Sequence, residues 1–417
     1  MLHIHFSNRF ELLQALLLRH LQTGGVGVFS TQTVIVPSAA VRRALSLALA
    51  DATGICANVS FPFLAQWLWQ QIARLVPGVA ETSPFATPQL TWRVFAAFGD
   101  AEFVARQDRL RDYLRDADEL MRYELASRVA ALLEQYLSYR PDWLQAWRAG
   151  QPAALGDGAR RDEPWQAALW QRIDAELGLQ ARHPAQDFVD ALQRGGSAAA
   201  QRAGLPQRVH VFALPSMPEA HMRLLQQLGR WVEVQVYVLN PCREHWFELI
   251  DRRRLAHLAA SGRASGHEEG HRLLAAWGRQ TQVQVELLVD LCGEGAQDDA
   301  VFEPAPGDSL LAQLQNSLLE LREIEPGSIA LAAHDRSIEL HVCHSLTREL
   351  EALQDHLLSL FVHQPSLQPG DILVVTPDLD AAAPLIDALF GTAPKERYIP
   401  YALCGRRRSG VNLPART

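Results

Sequence analysis

The sequence predicts an α/β fold built on a parallel sheet, with a helical insertion and the start of a second α/β region. Residues Leu2–Leu21 follow the pattern of a buried strand, a turn and an amphipathic helix. The pattern repeats in a short strand at Val34–Val36 and a helix at Ala39–Ala52. Strand patterns return at Val209–Leu214 and Val232–Leu239, with a helix between them. Strands that alternate with helices in this way are typical of parallel sheets.

A block of helical periodicity separates the two halves of this sheet. It covers Thr87–Trp147 and continues as two helices within Trp165–Leu192, with Gly-containing linkers at Gly150–Asp162 and Gly195–Gly204. The predicted domains are a sheet domain at 1–85 and 200–290 and a helical insertion at 86–199.

The remaining residues are predicted to form a linker and a second sheet domain. Residues 291–335 are expected to hold a poorly structured acidic stretch, Gly293–Pro306, and one helix. From 336 to 417, strands are predicted at Ile338–His344 and Asp371–Thr376, each followed by a helix. These strands are too few to close a doubly wound sheet, so this second domain is expected to be truncated.

Composition indicates an ordinary globular protein. The chain has 417 residues, of which 48% are hydrophobic and 21% charged, with a net charge of −8. That charge argues against a uniformly basic nucleic-acid wrapper. The five cysteines form no CxxC pair, and no apolar run approaches the ~20 residues of a membrane span. We expect a cytoplasmic protein that does not bind membranes.

The first turn stands where a nucleotide-binding α/β protein would keep its phosphate loop. Here it reads Ser7, Asn8, Arg9, without glycine, and Glu11 would repel a triphosphate. The single lysine of the chain, Lys395, has no glycine loop before it. The sequence therefore predicts a degenerate phosphate loop and no bound ATP.

Other catalytic patterns are also missing. The strand that ends at Leu214 supplies no carboxylate for magnesium, and Lys395 lacks the acidic partner of a restriction-type nuclease. We interpret His3 and His5, and likewise His341 and His344, as structural histidines because no third ligand is indicated. The prediction is no catalytic residue and no metal ligand set.

Arginines and aromatic residues near the predicted turns favour binding of single-stranded nucleic acid. Taken singly, each is better explained as a core anchor or a solvated charge, but their joint placement at strand ends suits a ligand crevice. The arginines are Arg9, Arg42, Arg43, Arg140, Arg348 and Arg406–Arg408. The aromatic residues are Trp67, Trp69, Tyr136, Tyr139, Trp143 and Trp147.

Several phrases spread over the chain resemble the RecC family, the gamma subunits of bacterial exodeoxyribonuclease V (the RecBCD enzyme). They include HFSNRFELLQAL, GICANVSFPF, QYLSYRPDWLQAW, YVLNPCREHW and RYIPYALCGRRR. The resemblance implies an inactivated superfamily 1 helicase-like (P-loop-NTPase-like) fold. It also implies a scaffold that holds RecB-like and RecD-like subunits, takes DNA ends, channels the separated strands and scans the 3′-ended strand for Chi. ATP and magnesium would then belong to the partner subunits.

The resemblance also implies a Chi-scanning surface. Its positions here are Pro37, Ala39, Arg43, Phe63, Trp69, Ala131, Leu132, Glu134, Gln135, Arg140 and Pro184. Five of them depart from the polar or charged residues of the enterobacterial pattern, namely Pro37, Ala39, Arg43, Ala131 and Pro184. Bases are read by side-chain donors and acceptors, so we expect a Chi-like element different from the enterobacterial octamer, or none.

Two other functions stay open at this point. An active ATP-dependent superfamily 1 DNA helicase would need a phosphate loop that the sequence does not contain. A small-molecule-binding α/β protein would bind its ligand in the crevice at the strand ends, and its arginines would not bind DNA.

Overall fold

The computed structural model describes residues 2–23, 30–156, 158–178, 184–250, 255–256, 268–292 and 297–404. The chain divides into two compact units, one of residues 1–308 and 312–329, the other of residues 309–311 and 330–417. Within the described ranges, no helix is both long and apolar enough to cross a membrane.

Unit 1 is built on a six-stranded sheet in the order β3-β2-β4-β5-β1-β8, and every neighbouring pair is parallel. The strands are β1 (Leu2–Ser7), β2 (Gln32–Ile35), β3 (Val59–Ser60), β4 (Arg208–Phe212), β5 (Glu233–Leu239) and β8 (Gln297–Ala300). Two short strands, β6 (Leu249–Ile250) and β7 (Glu268–Glu269), pair with each other in parallel. The α/β prediction with a parallel sheet is confirmed.

The helices of unit 1 cover both faces of the sheet or build the insertion. They are α1 (Phe10–Thr23), α2 (Ala39–Thr53), α3 (Leu64–Leu75), α4 (Thr87–Gly99), α5 (Ala101–Ala105), α6 (Asp108–Leu114), α7 (Glu119–Tyr139), α8 (Pro141–Arg148), α9 (Glu163–Leu177), α10 (Ala185–Arg202), α11 (Glu219–Leu228), α12 (Arg272–Trp277) and α13 (Arg279–Cys292). Helix α14 (Leu310–Leu319) begins in unit 2 and ends in unit 1.

Alternation along the strands feeds two cores, one on each face of the sheet. Ile4 and Val211 point to the face covered by α3, α10, α11 and α13, whereas Val34 and Tyr237 point to the face covered by α1 and α2. Burial on both faces explains why the strand sequences read as almost continuous apolar runs.

The insertion has a core of its own, formed by α4, α7, α8 and α9. Trp147 and Trp170 are each only 1% exposed within it, and their ring nitrogens donate to Glu163 Oε1 and to the carbonyl of Leu144. Because the indole N–H groups are satisfied, the buried rings contribute their full apolar surface to stability. The helices of the predicted insertion therefore pack around a core distinct from the two cores of the sheet, within the same compact unit.

Two predictions about linkers were wrong. Gly293–Pro306 was expected to be poorly structured, but Gln297–Ala300 forms β8 and pairs with β1. Helix α10 runs through the predicted crossing at Gly195–Gly204 as far as Arg202, with a kink at Gly196, whose φ is 56°. Glycine tolerates that left-handed angle, so the helix is bent there instead of ended.

Unit 2 contains α15 (Leu346–His363) and α16 (Leu379–Leu389), which pack around Leu357, Phe390 and Ile399. Short 3₁₀ turns lie at Pro369–Asp371 and Lys395–Arg397.

The two strands predicted in unit 2 are absent from its described part. The segments Ile338–His344 and Asp371–Thr376 join no hydrogen-bonded ladder, and Leu340, Val342 and Val375 are 92%, 99% and 82% exposed. A strand needs a neighbour for its backbone groups and a surface for its side chains, and these segments have neither. The predicted second α/β domain is thus seen here as helices only.

Candidate nucleic-acid interface

Parallel strands bring all their following turns to one edge of the sheet. Along this carboxyl edge lie, in order, the turns after β3, β2, β4, β5, β1 and β8. Backbone hydrogen bonds tie neighbouring turns together: Val36 N donates to Pro62 O over 3.2 Å, and Asn240 N donates to Ser7 O over 2.9 Å. This edge is where open α/β sheets bind ligands.

The turns after β2 and β3 present four of the predicted site residues side by side. Ser38 begins α2 because its Oγ accepts from Val41 N at 3.3 Å. Ala39 and Arg43, one helical turn apart, are both exposed on α2, and Pro37 is half-buried at its start. Phe63 precedes α3 with 49% of its surface exposed. A flat apolar ring and a guanidinium are therefore open to solvent along this part of the edge.

The last turns of α7 hold four further predicted residues. Glu134 and Gln135 are exposed, Ala131 and Leu132 are half-buried, and the Thr87 hydroxyl donates to Glu134. These positions lie on the side of α7 away from its buried residue Leu133.

Arg140 ends α7 and is held by two neighbours. Its Nε and Nη2 donate to Asp142 Oδ1 and Oδ2 at 3.1 and 2.8 Å, and its guanidinium carbon lies 4.0 Å from the Trp143 ring centroid. The bidentate contact lowers the pKa of Asp142 and so keeps this carboxylate charged. The guanidinium is thereby fixed in direction while 41% of the side chain stays exposed.

A cleft of about 850 Å³ joins the end of α7 to the carboxyl edge near β4. Its lining residues flank Arg140 on both sides and come from α7, α8, α11 and α13: they include Tyr139, Pro141, Pro218, Arg223, Arg279 and Gln284. Tyr139 is 56% exposed. Arg279 is exposed and forms no ion pair among the described residues, whereas the lining carboxylates Asp142 and Glu219 are paired with Arg140 and Arg223. The cleft thus combines an open aromatic ring, an arginine without an ion pair and an apolar floor.

The backbone next to this cleft adopts a rare conformation. Ala213, directly after β4, has a φ of 48°, in the left-handed region that non-glycine residues seldom occupy. Its N–H donates to Tyr237 O over 3.0 Å, which holds the turn in place and directs the chain toward Met217 and α11. Met217 N in turn donates to Gln284 Oε1 at 2.8 Å. The floor of the cleft is therefore hydrogen-bonded to α13.

Two predicted site residues are buried instead of facing the edge. Trp69 is 8% exposed, donates from Nε1 to Ala80 O and packs edge-on against Phe85 in the insertion core. Pro184 is buried at the start of α10. Of the other aromatic residues, Trp67 and Trp147 are core residues, and Tyr136 and Trp143 are half-buried. The cluster Arg406–Arg408 lies outside the described residues.

The turn predicted to be a degenerate phosphate loop, Ser7 to Arg9, is held by contacts of its own. Arg9 N donates to Ser7 Oγ at 3.2 Å. Asn8 Nδ2 donates to Glu303 O at 2.8 Å, Glu303 N donates back to Asn8 Oδ1 at 3.1 Å, and Arg9 Nη1 lies 3.5 Å from Glu303 Oε2. The groups that would face a phosphate are therefore already bonded, and a carboxylate stands beside them.

Histidines of β1, α1 and β4 cluster around a buried tyrosine. His20 Nδ1 and His210 Nδ1 lie 2.7 and 3.0 Å from the Tyr237 hydroxyl, and His5 Nε2 lies 2.6 Å from Gln235 Oε1. Burial, reinforced by the positive charge of Arg208, lowers the pKa of His210 to about 3. His210 therefore serves as a neutral hydrogen-bonding core residue, and His5 hydrogen-bonds beside it in the same core.

One aromatic cluster escaped the sequence analysis. Trp92 on α4 is 62% exposed and lies 5.6 Å from Tyr123 of α7 between ring centroids, with Phe95 beside both. Trp92 falls on the polar side of its helix, a position that could have been noticed from the helical period.

A parallel α/β sheet with helices inserted between its strands and a cleft at the carboxyl edge places the chain among the open-sheet α/β proteins. The family model described as RecC, N-terminal domain, matches residues 2–321. The chain therefore belongs to the RecC family.

Curated relatives agree with this family. The RecBCD enzyme subunit RecC of Escherichia coli is 32% identical over 98% of this chain and 40% of its own length. The subunit of the same name from Haemophilus influenzae is 29% identical over 91% of this chain and 38% of its own length. That of Mycobacterium tuberculosis H37Rv is 30% identical over 94% and 36%. The chain thus spans about two fifths of the length of the curated relatives it matches.

Proposed function

We propose that this chain provides the N-terminal part of a non-catalytic DNA-channel and scaffold subunit of a RecBCD-type helicase and nuclease. In this role it holds RecB-like and RecD-like subunits and receives DNA ends in double-strand break repair by homologous recombination. The observation that carries the proposal is membership of the RecC family over nearly the whole chain, in relatives named as RecBCD subunits. The sheet of unit 1 is then a helicase-like domain, and residues 86–199 are its insertion.

The contacts at the first turn support a non-catalytic role. Motor domains move on nucleotide bound by bare amides, a lysine and magnesium. Here the Arg9 amide is bonded to Ser7, and the carboxylates of Glu303 and Glu11 lie at or next to the turn. Like charges would disfavour a triphosphate, so translocation has to be driven by partner subunits.

The carboxyl edge supports a path for a single strand. Phe63 and Tyr139 offer exposed rings, and stacking of a base on such a ring is worth about 1–3 kcal/mol. Arg43 and Arg279 offer charge for phosphates, since both are exposed and neither forms an ion pair among the described residues. The strand would enter along the turns after β3 and β2 and continue past Arg140 to the cleft.

The recognised sequence is proposed to differ from the enterobacterial Chi octamer. Pro37 and Ala39 stand at exposed or half-exposed positions of the edge without any side-chain hydrogen-bonding group. Hotspot protection should be compared for both octamers in the complex reconstituted with the full-length subunit. An unchanged preference for the enterobacterial octamer would refute this part of the proposal.

Binding of a labelled oligothymidylate at several salt concentrations tests the path itself. The variant Arg43→Ala should weaken binding and flatten the dependence of log K on log salt by about 0.7 if one phosphate contact is lost. Arg230→Ala is the matched control, because Arg230 is equally exposed but lies before β5, at the opposite edge of the sheet. Equal effects of both variants would contradict a strand path along the carboxyl edge.

Titration with magnesium and ATP separates the proposal from an active helicase. The chain should show no saturable binding of a fluorescent ATP analogue, whereas tight magnesium-dependent binding would favour the enzyme. A chain that bound neither ATP nor DNA would instead favour a small-molecule-binding α/β protein.

A further inference from the structure

Three side chains of unit 2 converge at a place that no feature of the proposed DNA path uses. Glu339 and His341 lie on the segment before α15, separated by one residue, and His356 lies on α15 itself. Their ligand atoms, one carboxylate oxygen and one ring nitrogen from each histidine, all lie within 4.8 Å of one another. Among the described residues, no other group of three such side chains converges in this way.

The distances within this cluster fit a metal site better than hydrogen bonds. Glu339 Oε2 lies 3.6 Å from His341 Nε2 and 3.4 Å from His356 Nε2. An N–H···O hydrogen bond would be about 2.7–3.2 Å long. Two ligand atoms that each lie about 2.0–2.2 Å from a tetrahedral zinc ion are instead separated by about 3.4 Å. One carboxylate oxygen thus stands at this separation from both imidazoles at once.

The fold fixes the two elements that carry the ligands. Ser345 caps α15 by accepting from Arg348 N at 3.2 Å, so the helix starts five residues after His341. Leu357, next to His356, is 6% exposed in the core of unit 2 and sets the rotation of the helix. The two imidazole rings face each other with centroids 5.1 Å apart and planes inclined by 58°, which leaves space between their nitrogens.

Arg336 contacts the other carboxylate oxygen of Glu339. Arg336 Nε lies 3.6 Å from Glu339 Oε1, and its side chain is 78% exposed. Its charge opposes a metal ion, but exposure to water weakens the repulsion, and its position leaves Oε2 directed at both histidines.

We propose that Glu339, His341 and His356 bind a divalent zinc ion, with a fourth position open to water or to an external ligand. Two imidazoles and one carboxylate are donors that suit zinc, whereas magnesium and calcium prefer sets of oxygen ligands.

Titration of the purified chain with zinc chloride alone tests the site, followed calorimetrically and by competition with a chromophoric chelator. The wild type should bind one equivalent that millimolar magnesium does not displace. His356→Gln should weaken this binding by at least about 10–100-fold. Removing a residue that only hydrogen-bonds to a metal ligand already costs that much affinity, and His356 is proposed to be a ligand itself. His363→Gln is the matched control, because His363 is an exposed histidine on the same helix that bonds to Ser359 O.

Cobalt(II) supplies a second readout that does not depend on affinity. Bound between these three ligands, it should give the visible absorption of a four-coordinate ion, and Glu339→Gln should lose that band while α15 and α16 keep their circular dichroism. Wild type and His356→Gln that bind zinc equally, or a cobalt spectrum that is purely octahedral, would overturn the proposal.

Discussion

Acidification should destabilise unit 1 through His210. Its imidazole is 1% exposed on β4, hydrogen-bonded to Tyr237 and close to Arg208, and its pKa is about 3 against an ordinary value near 6.5. Between pH 6.5 and about pH 3, His210 therefore binds a proton in the unfolded chain but not in the folded chain. The stability is fully present above pH 6.5 and is lost as pH falls, at a slope of about 1.4 kcal/mol per pH unit.

The expected loss can be worked out for a fall from pH 7 to pH 5. With the two pKa values above, His210 alone should lower the free energy of unfolding by about 2 kcal/mol over this interval. Urea titrations followed by tryptophan fluorescence measure this in unit 1, because all ten tryptophans lie in it, from Trp67 to Trp277.

Two variants isolate the contribution of His210. His210→Gln keeps a polar partner for Tyr237 but cannot take up the proton, so its stability should fall by about 2 kcal/mol less than that of the wild type between pH 7 and 5. His245→Gln, which removes an exposed histidine of unit 1, should follow the wild type. If His210→Gln and the wild type lose stability in parallel, His210 is not held neutral by its surroundings.

Three further outcomes follow from the fold. Gly54→Ala should lower the free energy of unfolding in urea by about 1 kcal/mol, because Gly54 ends α2 with a φ of 81°. Gly156→Ala, where an added Cβ would meet no atom within 4 Å, should leave this free energy unchanged. Equal effects of the two substitutions would contradict the prediction. Cys242 is buried, and burial raises the pKa of its thiol, so Ellman's reagent should label exposed Cys56 at once and Cys242 only on unfolding. The wild type and Cys242→Ala should therefore show the same number of rapidly labelled thiols. A larger number in the wild type would refute the burial of Cys242. Leu357→Ala should cost about 2–5 kcal/mol and remove hydrogen-exchange protection from α15, and unchanged protection would mean that the core of unit 2 does not hold this helix.

The sheet of unit 1 could be predicted from sequence because its strands are buried on both faces. Apolar runs such as those of β4 and β5 have few interpretations once they alternate with amphipathic helices. The edge strand β8 could not be predicted, since its sequence QDDA carries no apolar signal and its pairing with β1 depends on residues almost 300 positions away. In unit 2, strands were predicted but did not form. An alternating apolar pattern indicates a preference for a strand, but the strand forms only where a neighbouring strand pairs with it.

The candidate sites show the same limit. Trp69 and Tyr139 are both aromatic residues of amphipathic helices near turns, and only packing decides that the first is 8% and the second 56% exposed. His341 was interpreted as structural because no third ligand was visible nearby in the sequence. The third member of its cluster, His356, lies 15 positions further along, and the packing of α15 brings it within reach.

The position of β1 constrains how the polypeptide matures on the ribosome. Strand β1 is synthesised well before both strands that flank it, β5 and β8, and its turn is tied by Asn8 to Glu303. At about 5–20 residues per second, roughly 15–60 s separate the synthesis of Asn8 from that of Glu303. During that interval the apolar strand β1 lacks its final neighbours. Chaperones should therefore bind nascent chains soon after β1 emerges from the ribosome and dissociate only after β8 has emerged.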